Sequence, residues 1–115
     1  DSRNIMTILQ ERARLTREWR QFLNKYSVLL CPVSCSLPFD DLKDLETDEE
    51  FEQIVEDQML QIGLPFMGLP GLTVTVDRTG DRPVGIQLVA SHFREDILLS
   101  SAEIIARSVP VTGTK

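Results

Sequence analysis

Apolar residues recur at spacings of three and four near the N-terminus, with charged residues between them. This period predicts an amphipathic helix over residues 5–26. A second helix is predicted over 47–62, because Thr47 and Glu50 form a capping-box pattern and helix breakers follow the apolar stripe. A third is predicted over 94–107, a stretch rich in leucine and isoleucine. The hydrophobic pattern therefore predicts three helices.

Three segments between these helices have the patterns of β-strands. Residues 28–31 are consecutive apolar positions that end at a proline, so we expect an inner strand with both faces covered by helices. Residues 72–76 alternate in polarity and 84–90 follow a polar turn, which predicts an antiparallel hairpin. Gly85 indicates a bulge or a close backbone approach in the second of these strands. Helices combined with a covered strand predict an α/β fold.

The composition is that of one folded globular unit. The 115 residues are 42% hydrophobic, and 12 basic against 18 acidic side chains give a net charge of −6 without a basic cluster. Binding to nucleic acid or to an anionic membrane is therefore not expected. No apolar run approaches the ~20 residues of a transmembrane helix. Cys31 and Cys35 lack the spacing of a metal or redox site, so we expect reduced thiols, no cofactor and a cytoplasmic protein.

None of the potential nucleophiles lies in a recognisable catalytic pattern. No serine lies in a Gly-x-Ser-x-Gly elbow, and Ser100 and Ser101 fall within a predicted helix, where packing or surface roles are favoured. The single histidine, His92, lies between a strand and a helix, where a capping or surface role is favoured. Gln87 is a polar residue in an apolar strand, and we expect a hydrogen-bonded core amide there.

Four motifs in order resemble the C-terminal part of the amidase signature family. They are Leu29-Leu30-Cys31-Pro32, then Gly68-Leu69-Pro70-Gly71, then Arg82-Pro83-Val84-Gly85-Ile86-Gln87-Leu88-Val89, and then Phe93-x-Glu95 before a leucine-rich helix. The resemblance covers about residues 12–107, and its Pro-x-Gly-Ile-Gln motif is specific. It implies that residues 1–115 are the C-terminal segment of an amidase-signature domain, forming the C-terminal portion of an α/β/α sandwich with a mixed sheet.

The resemblance implies hydrolysis of a carboxamide C–N bond to an acid and ammonia or an amine. In the family a serine, activated by a second serine and a lysine, takes up the acyl group. No stretch of this chain matches the family's lysine or its Gly/Ser-rich signature, so no catalytic residue is assigned here. The chain also begins at Asp1 without a methionine, and we expect a segment of a longer amidase that is inactive by itself. The full-length enzyme would bind a small-molecule amide, and it could form a homo-oligomer.

The resemblance also implies a substrate-binding surface. In family members the helix before the Gly-Leu-Pro turn faces the substrate pocket, and here that helix carries Val55, Gln58, Met59 and Ile62. Gln58 is the polar residue of this apolar stripe, where a specificity group would be placed; the alternative is a half-exposed helix residue. Many members have an asparagine where this sequence has Pro65, which implies a more apolar pocket wall.

Two other functions stay open at this point. One is a non-catalytic interaction domain on an amidase-like scaffold. The other is a piece of a tRNA-dependent amidotransferase A subunit, although the acidic balance does not favour contact of this segment with tRNA. A lysine followed by a Gly/Ser-rich stretch upstream of Asp1 would favour the amidase. The absence of these features would favour the interaction domain, and co-purification with companion subunits would favour the amidotransferase.

Overall fold

Helices and strands follow one another along the chain in a mixed α/β order. The computed structural model describes residues 2–80 and 82–109. Its elements are α1 (Ser2–Lys25), β1 (Val28–Pro32), a short 3-10 turn (Lys43–Leu45), α2 (Asp48–Asp57), α3 (Met59–Phe66), β2 (Gly71–Thr79), β3 (Arg82–Ala90) and α4 (Glu95–Ser108). The α/β class predicted from the sequence is confirmed.

The sheet has three strands in the order β1-β3-β2, with β3 in the centre. Both pairings are antiparallel, with Val28 opposite Ala90 and Leu72 opposite Leu88. The predicted hairpin is present, but the prediction of a mixed sheet is wrong for the described residues. A short turn such as the one at Gly80 joins antiparallel neighbours, whereas a parallel pair needs a long crossover connection.

The strand predicted to lie inside the sheet, β1, lies at its edge. Successive residues of a strand point to opposite faces, so Leu29 and Cys31 share one face of the sheet while Val28 and Leu30 share the other. Cys31 is buried, yet Leu30 keeps 56% of its surface exposed. A continuous apolar run indicates that both faces of a strand are apolar. It does not indicate whether the strand pairs with one neighbour or with two.

Alternate residues of β3 enter two separate cores. The first core contains Leu23, Cys31, Leu64, Met67, Leu69 and Val89, and it lies between the sheet and helices α1 and α3. The second contains Leu88, Ala90 and Leu98, with Val28, Leu72, Val74, Ala102 and Ile105 packed around them, and it lies between the sheet and α4. The sheet is therefore the middle layer of a three-layer arrangement, with helices on both faces.

The predicted helix over 47–62 is two helices in the structure, so the described chain has four α-helices where three were predicted. The start is as the capping pattern indicates, because the Glu50 N–H donates a hydrogen bond to the Thr47 hydroxyl oxygen at 3.1 Å. The helical path stops at Gln58, whose φ and ψ are −97° and 12°. Helix α3 begins directly afterwards and contains Pro65.

The whole molecule is a thin slab with extents of 56 × 41 × 16 Å. Its radius of gyration of 16.9 Å exceeds the ~13 Å typical of a compact domain of this size. Three strands spaced ~4.8 Å apart make a narrow sheet, which is consistent with the smallest extent. The apolar side chains left exposed near the start of α1 are Ile5, Met6, Ile8 and Leu9.

Candidate functional site

An open groove of about 690 Å³ lies beside the hairpin and the loop that follows β1. Apolar lining comes from Val33, Leu37, Pro38, Phe39, Pro83 and Val84, and polar lining from Ser34, Ser36, Gln58, Gln61, Thr73 and Thr75. The two threonines lie on the same face of the sheet as Val89, so the groove is on the side of α1 and α3. Apolar walls with a few convergent polar groups are typical of small-molecule pockets.

The helix break at Gln58 places that residue in the groove. The Asp57 carbonyl accepts hydrogen bonds from the Cys35 N–H at 2.9 Å and from the Ser34 hydroxyl at 3.2 Å. The Gln61 N–H, which would pair with Asp57 in a continuous helix, donates instead to the Gln58 carbonyl at 2.8 Å. The loop after β1 is therefore tied to the end of α2, and Gln58 lies where loop and helix meet.

The four predicted binding residues take different positions relative to the groove. Gln58 lines the groove, whereas Val55, Met59 and Ile62 are absent from its lining. Val55 is half-buried on α2, and Met59 and Ile62 are about half exposed on α3. The break between α2 and α3 separates residues that a single helix would have aligned. Pro65 is exposed on α3 and does not line the groove.

Sequence reasoning missed the loop residues of the groove, above all Leu37, Pro38 and Phe39. This loop has no helical or strand periodicity, so nothing in the pattern assigned it to a site. An available signal was the run of three apolar residues directly before the acidic pair Asp40 and Asp41. Solvated loops have less reason to carry such a run.

Gly85 lines the groove at a position where an added side chain would crowd its neighbours. A Cβ atom at this position would lie 3.0 Å from Thr73 Cγ2 and 3.6 Å from Val33 Cγ2. The ladder between β2 and β3 also contains a bulge, because Thr75 pairs with Gly85 and Asp77 with Val84. The structure thus shows a close approach at Gly85, while the extra residue of the bulge lies opposite it in β2 and not in β3, where it was predicted.

Gln87 differs from the prediction of a satisfied core amide. Its Oε1 atom is buried and has no hydrogen-bond partner among the described residues. The side chain leans over Gly71, where a Cβ atom would lie 3.0 Å from Gln87 Nε2. Gly71 leaves room for the amide, but sequence position alone could not reveal whether the surrounding backbone offers its oxygen a donor.

His92 does not cap α4, and its ring is only partly exposed. The N-cap of α4 is Arg94, and His92 is half-buried. Its Nε2 lies 3.0 Å from the Met67 carbonyl oxygen, which can only accept, so Nε2 carries the proton of this hydrogen bond. The other ring nitrogen, Nδ1, is buried without a hydrogen-bond partner in the described part of the chain.

The cysteines and Ser100 have contacts and burial that are typical of structural residues. Burial raises the pKa of the Cys31 thiol, while Cys35 is exposed, and both are free thiols. The Ser100 hydroxyl donates to the Asp96 carbonyl at 2.9 Å, a contact within its own helix. Across residues 2–80 and 82–109, no group of three or more histidine, cysteine or acidic side chains could hold a metal ion. None of the helices in these ranges combines the length and apolar character needed to cross a membrane.

Comparison with known proteins identifies the family. The sequence model of the Amidase family matches residues 1–99. The chain belongs to the Amidase family. This confirms the resemblance predicted from the ordered motifs around Gly68 and Gln87.

Two relatives illustrate the range of this Amidase family segment. It is 29% identical over 96 residues to the indoleacetamide hydrolase of Bradyrhizobium japonicum, covering 83% of this chain and 21% of that protein. The chain is also 33% identical over 91 residues to the A subunit of the glutamyl-tRNA(Gln) amidotransferase of Halorhodospira halophila, and this match covers 79% of this chain and 18% of that protein. The chain thus spans about a fifth of the length of the curated relatives that it matches.

Proposed function

We propose that this chain is part of an amidase that hydrolyses a carboxamide C–N bond to an acid and ammonia or an amine. The observation that carries the proposal is the Amidase family match over residues 1–99. The relative named indoleacetamide hydrolase supports a small-molecule amide as substrate. The proposal includes a cytoplasmic location and requires no cofactor, nucleic acid or membrane.

The proposed chemistry is acyl transfer through a serine. The serine oxygen attacks the amide carbon, the C–N bond breaks, and the nitrogen leaves with a proton supplied by the serine–lysine relay. Water then hydrolyses the acyl-enzyme and releases the acid. We place the Ser-Ser-Lys group outside these residues, since no motif of this chain matches it and the chain spans only about a fifth of its relatives.

The proposed contribution of this chain is one wall of the substrate pocket. Gln58 carries the argument, because this residue lines the groove and its side-chain amide has both an N–H donor and a carbonyl acceptor, the complement of a carboxamide. Apolar residues such as Phe39 and Val84 would hold the rest of the substrate. Val55, Met59 and Ile62, which do not line the groove, stay proposed substrate-binding residues of the longer protein.

The first test compares amide hydrolysis by two purified proteins, the 115-residue chain and a longer protein that contains it. Ammonia release is measured with a panel of neutral carboxamides, including indoleacetamide. We expect turnover by the longer protein and none by the chain. Serine-dependent turnover by the chain itself would place the catalytic groups within these residues and contradict the proposal.

The second test examines Gln58 in the longer protein. Gln58→Leu removes both polar atoms at nearly constant volume, so KM for the amide should rise roughly tenfold if one charge-neutral contact to the substrate is lost and a buried partner is left unpaired. The matched control is Gln10→Leu on the exposed side of α1, outside the groove. Equal KM values for both variants would remove Gln58 from the pocket.

An amidotransferase A subunit is the second candidate function, because several relatives carry that name. It predicts that the longer protein co-purifies with companion subunits and uses glutamine to amidate glutamyl-tRNA(Gln). Hydrolysis of simple carboxamides without partners favours the amidase. A longer protein with neither activity would leave the non-catalytic interaction domain as the function.

A further inference from the structure

A second cavity, of about 350 Å³, lies between α1 and the end of β3, apart from the groove. We call it the arginine hollow, and its members are Leu9, Arg12, Ala13, Thr16, Arg17, Met67 and His92. Its charged lining is entirely basic among the described residues. That is unusual for a chain whose net charge is −6, and it makes the hollow a local site of positive potential.

Helix geometry brings the two arginines to the hollow. Positions 12, 13, 16 and 17 lie on one face of α1, because residues three and four apart are neighbours on a helix surface. Arg12 is held in place, since its Nε–H donates to the Phe66 carbonyl at 2.5 Å and its guanidinium lies 5.7 Å from the centre of the Phe66 ring. Its terminal nitrogens stay available as donors beyond this contact.

His92 supplies the second, independent observation. Its Nε2–H is used by the Met67 carbonyl, while Nδ1 is buried without a partner in the described chain. Gly68, with a φ of 73°, lies against the ring, because a Cβ there would be in van der Waals contact with His92 Nε2 at 3.6 Å and with Arg12 Nη2 at 4.0 Å. The ring lines the same hollow as Arg12 and Arg17, and its buried Nδ1 is a polar atom that the described residues leave unsatisfied.

We propose that the arginine hollow binds an oxyanion, the carboxylate or phosphate group of a small ligand. Arg12 and Arg17 present guanidinium N–H donors, whose fork matches the two oxygens of such a group. With its proton on Nε2, His92 leaves Nδ1 as an acceptor, which pairs with an O–H of a ligand group such as hydrogen phosphate. The groove lies at the Pro83–Gly85 end of β3 and the hollow follows the Ala90 end, so the oxyanion site is distinct from the proposed amide pocket.

The test is a titration of the 115-residue chain with sodium phosphate and, separately, with sodium acetate. Total ionic strength is held constant with sodium chloride, and backbone amide and histidine side-chain ¹⁵N signals are followed by NMR. Saturable shifts are expected at α1 and at the side-chain nitrogens of His92. The anion that binds more tightly assigns the ligand group to phosphate or carboxylate.

Three variants decide whether the hollow itself is responsible. Arg17→Ala should weaken binding by roughly tenfold or more, since it removes a charge-assisted hydrogen bond. His92→Gln keeps a donor for the Met67 carbonyl, lacks the second ring nitrogen and should weaken binding several-fold. Arg20→Ala is the matched control, because Arg20 is an exposed arginine of the same helix outside the hollow.

The same spectra report whether each variant keeps its fold, and Arg17 is exposed enough for its loss to be tolerated. Binding that is weakened by Arg17→Ala and unchanged by Arg20→Ala supports the proposal. The absence of saturable shifts with both anions overturns it. Equal weakening by both arginine variants also overturns it, because it would indicate general charge attraction to α1.

Discussion

The two faces of β3 are built from different parts of the chain. On the α4 face, Leu88 and Ala90 meet Leu98, which follows shortly after them in sequence. On the other face, Val89 meets Leu23 and Leu64, which come from helices far earlier in the chain. The groove and the arginine hollow both lie on this second face. The groove and the hollow therefore lie where segments distant in sequence meet, on the face of the sheet that α1 and α3 cover.

The largest expected effect is the loss of a core leucine on either face. Leu98→Ala and Leu64→Ala should each lower the free energy of unfolding by about 2–5 kcal/mol, because both side chains are buried. Leu99→Ala, at 63% exposed, is the matched control and should change it by less than ~0.5 kcal/mol. Urea denaturation of the single and double variants measures all four values.

The double variant tests whether the two faces are independent. The two leucines lie in separate cores on opposite sides of the sheet, so their effects should add to within ~0.5 kcal/mol. A larger coupling energy would show that the cores communicate through β3, and the distinction between the faces would be lost.

A smaller loss of stability is expected from adding a side chain at Gly85, on the groove side of the sheet. Gly85→Ala should lower the free energy of unfolding by about 1–3 kcal/mol, because the new Cβ would press on Thr73 Cγ2. Adding Thr73→Ser removes that methyl group and should restore most of the loss. Thermal unfolding measures both variants.

Gly63→Ala is the matched glycine control. Nothing lies within 4 Å of a Cβ at this helical position, so the variant should gain about 0.5–1 kcal/mol of stability. If alanine destabilised the protein equally at Gly63 and Gly85, the contact with Thr73 would not be the cause.

The two cysteines distinguish the buried core from the loop that borders the groove. Cys31 lies in the core on the α1 and α3 side, and burial raises the pKa of its thiol, whereas Cys35 is exposed. Because the thiolate is the reactive form, iodoacetamide at neutral pH should alkylate Cys35 at least roughly tenfold faster. Mass spectrometry of timed samples measures the ratio. Similar rates would mean that this core opens readily.

The smallest effects belong to exposed ion pairs, one on each helical layer. Arg94 on the α4 side lowers the pKa of Asp96 through a hydrogen bond at 3.0 Å, and Arg14 on α1 does the same to Glu11. A carboxyl group whose pKa is lowered by folding stabilises the protein at pH values above its ordinary pKa. That stability is lost as the pH falls through the lowered pKa. Both pairs are exposed, so the contribution is slight.

An NMR titration of the carboxyl carbons measures these pKa values directly. Arg94→Gln should return the pKa of Asp96 towards its ordinary value. Arg107→Gln, which removes an exposed arginine of α4 that pairs with Glu103, should leave Asp96 unchanged. A response of Asp96 to both substitutions would indicate a general field of the helix instead of the Arg94 contact.

The fold was predictable where the signal is local. Alternation in 72–76 and the turn after it predict a hairpin, and the Thr47 cap marks the start of α2. The break at Gln58 was not predictable, because it depends on hydrogen bonds from Ser34 and Cys35 to the Asp57 carbonyl. The edge position of β1 was not predicted for a similar reason, since strand order depends on pairing between distant segments.

The four predicted binding residues remain a prediction. Gln58 lines the groove, and Val55, Met59 and Ile62 do not. The loop residues around Phe39 and the pairing of Arg12 with His92 in one hollow come from segments that no periodicity connects.

By itself the sequence determined the α/β class, the hairpin and membership of the Amidase family, because periodicity, turn residues and ordered motifs are encoded within short stretches. Only the tertiary structure decided which strand is central, where the second helix divides and where open volume remains. Those features depend on which distant segments satisfy each other's hydrogen bonds and cover each other's apolar faces. The unpartnered nitrogen of His92 is the clearest example, since burial and the absence of a donor or acceptor nearby exist only once the described chain is folded.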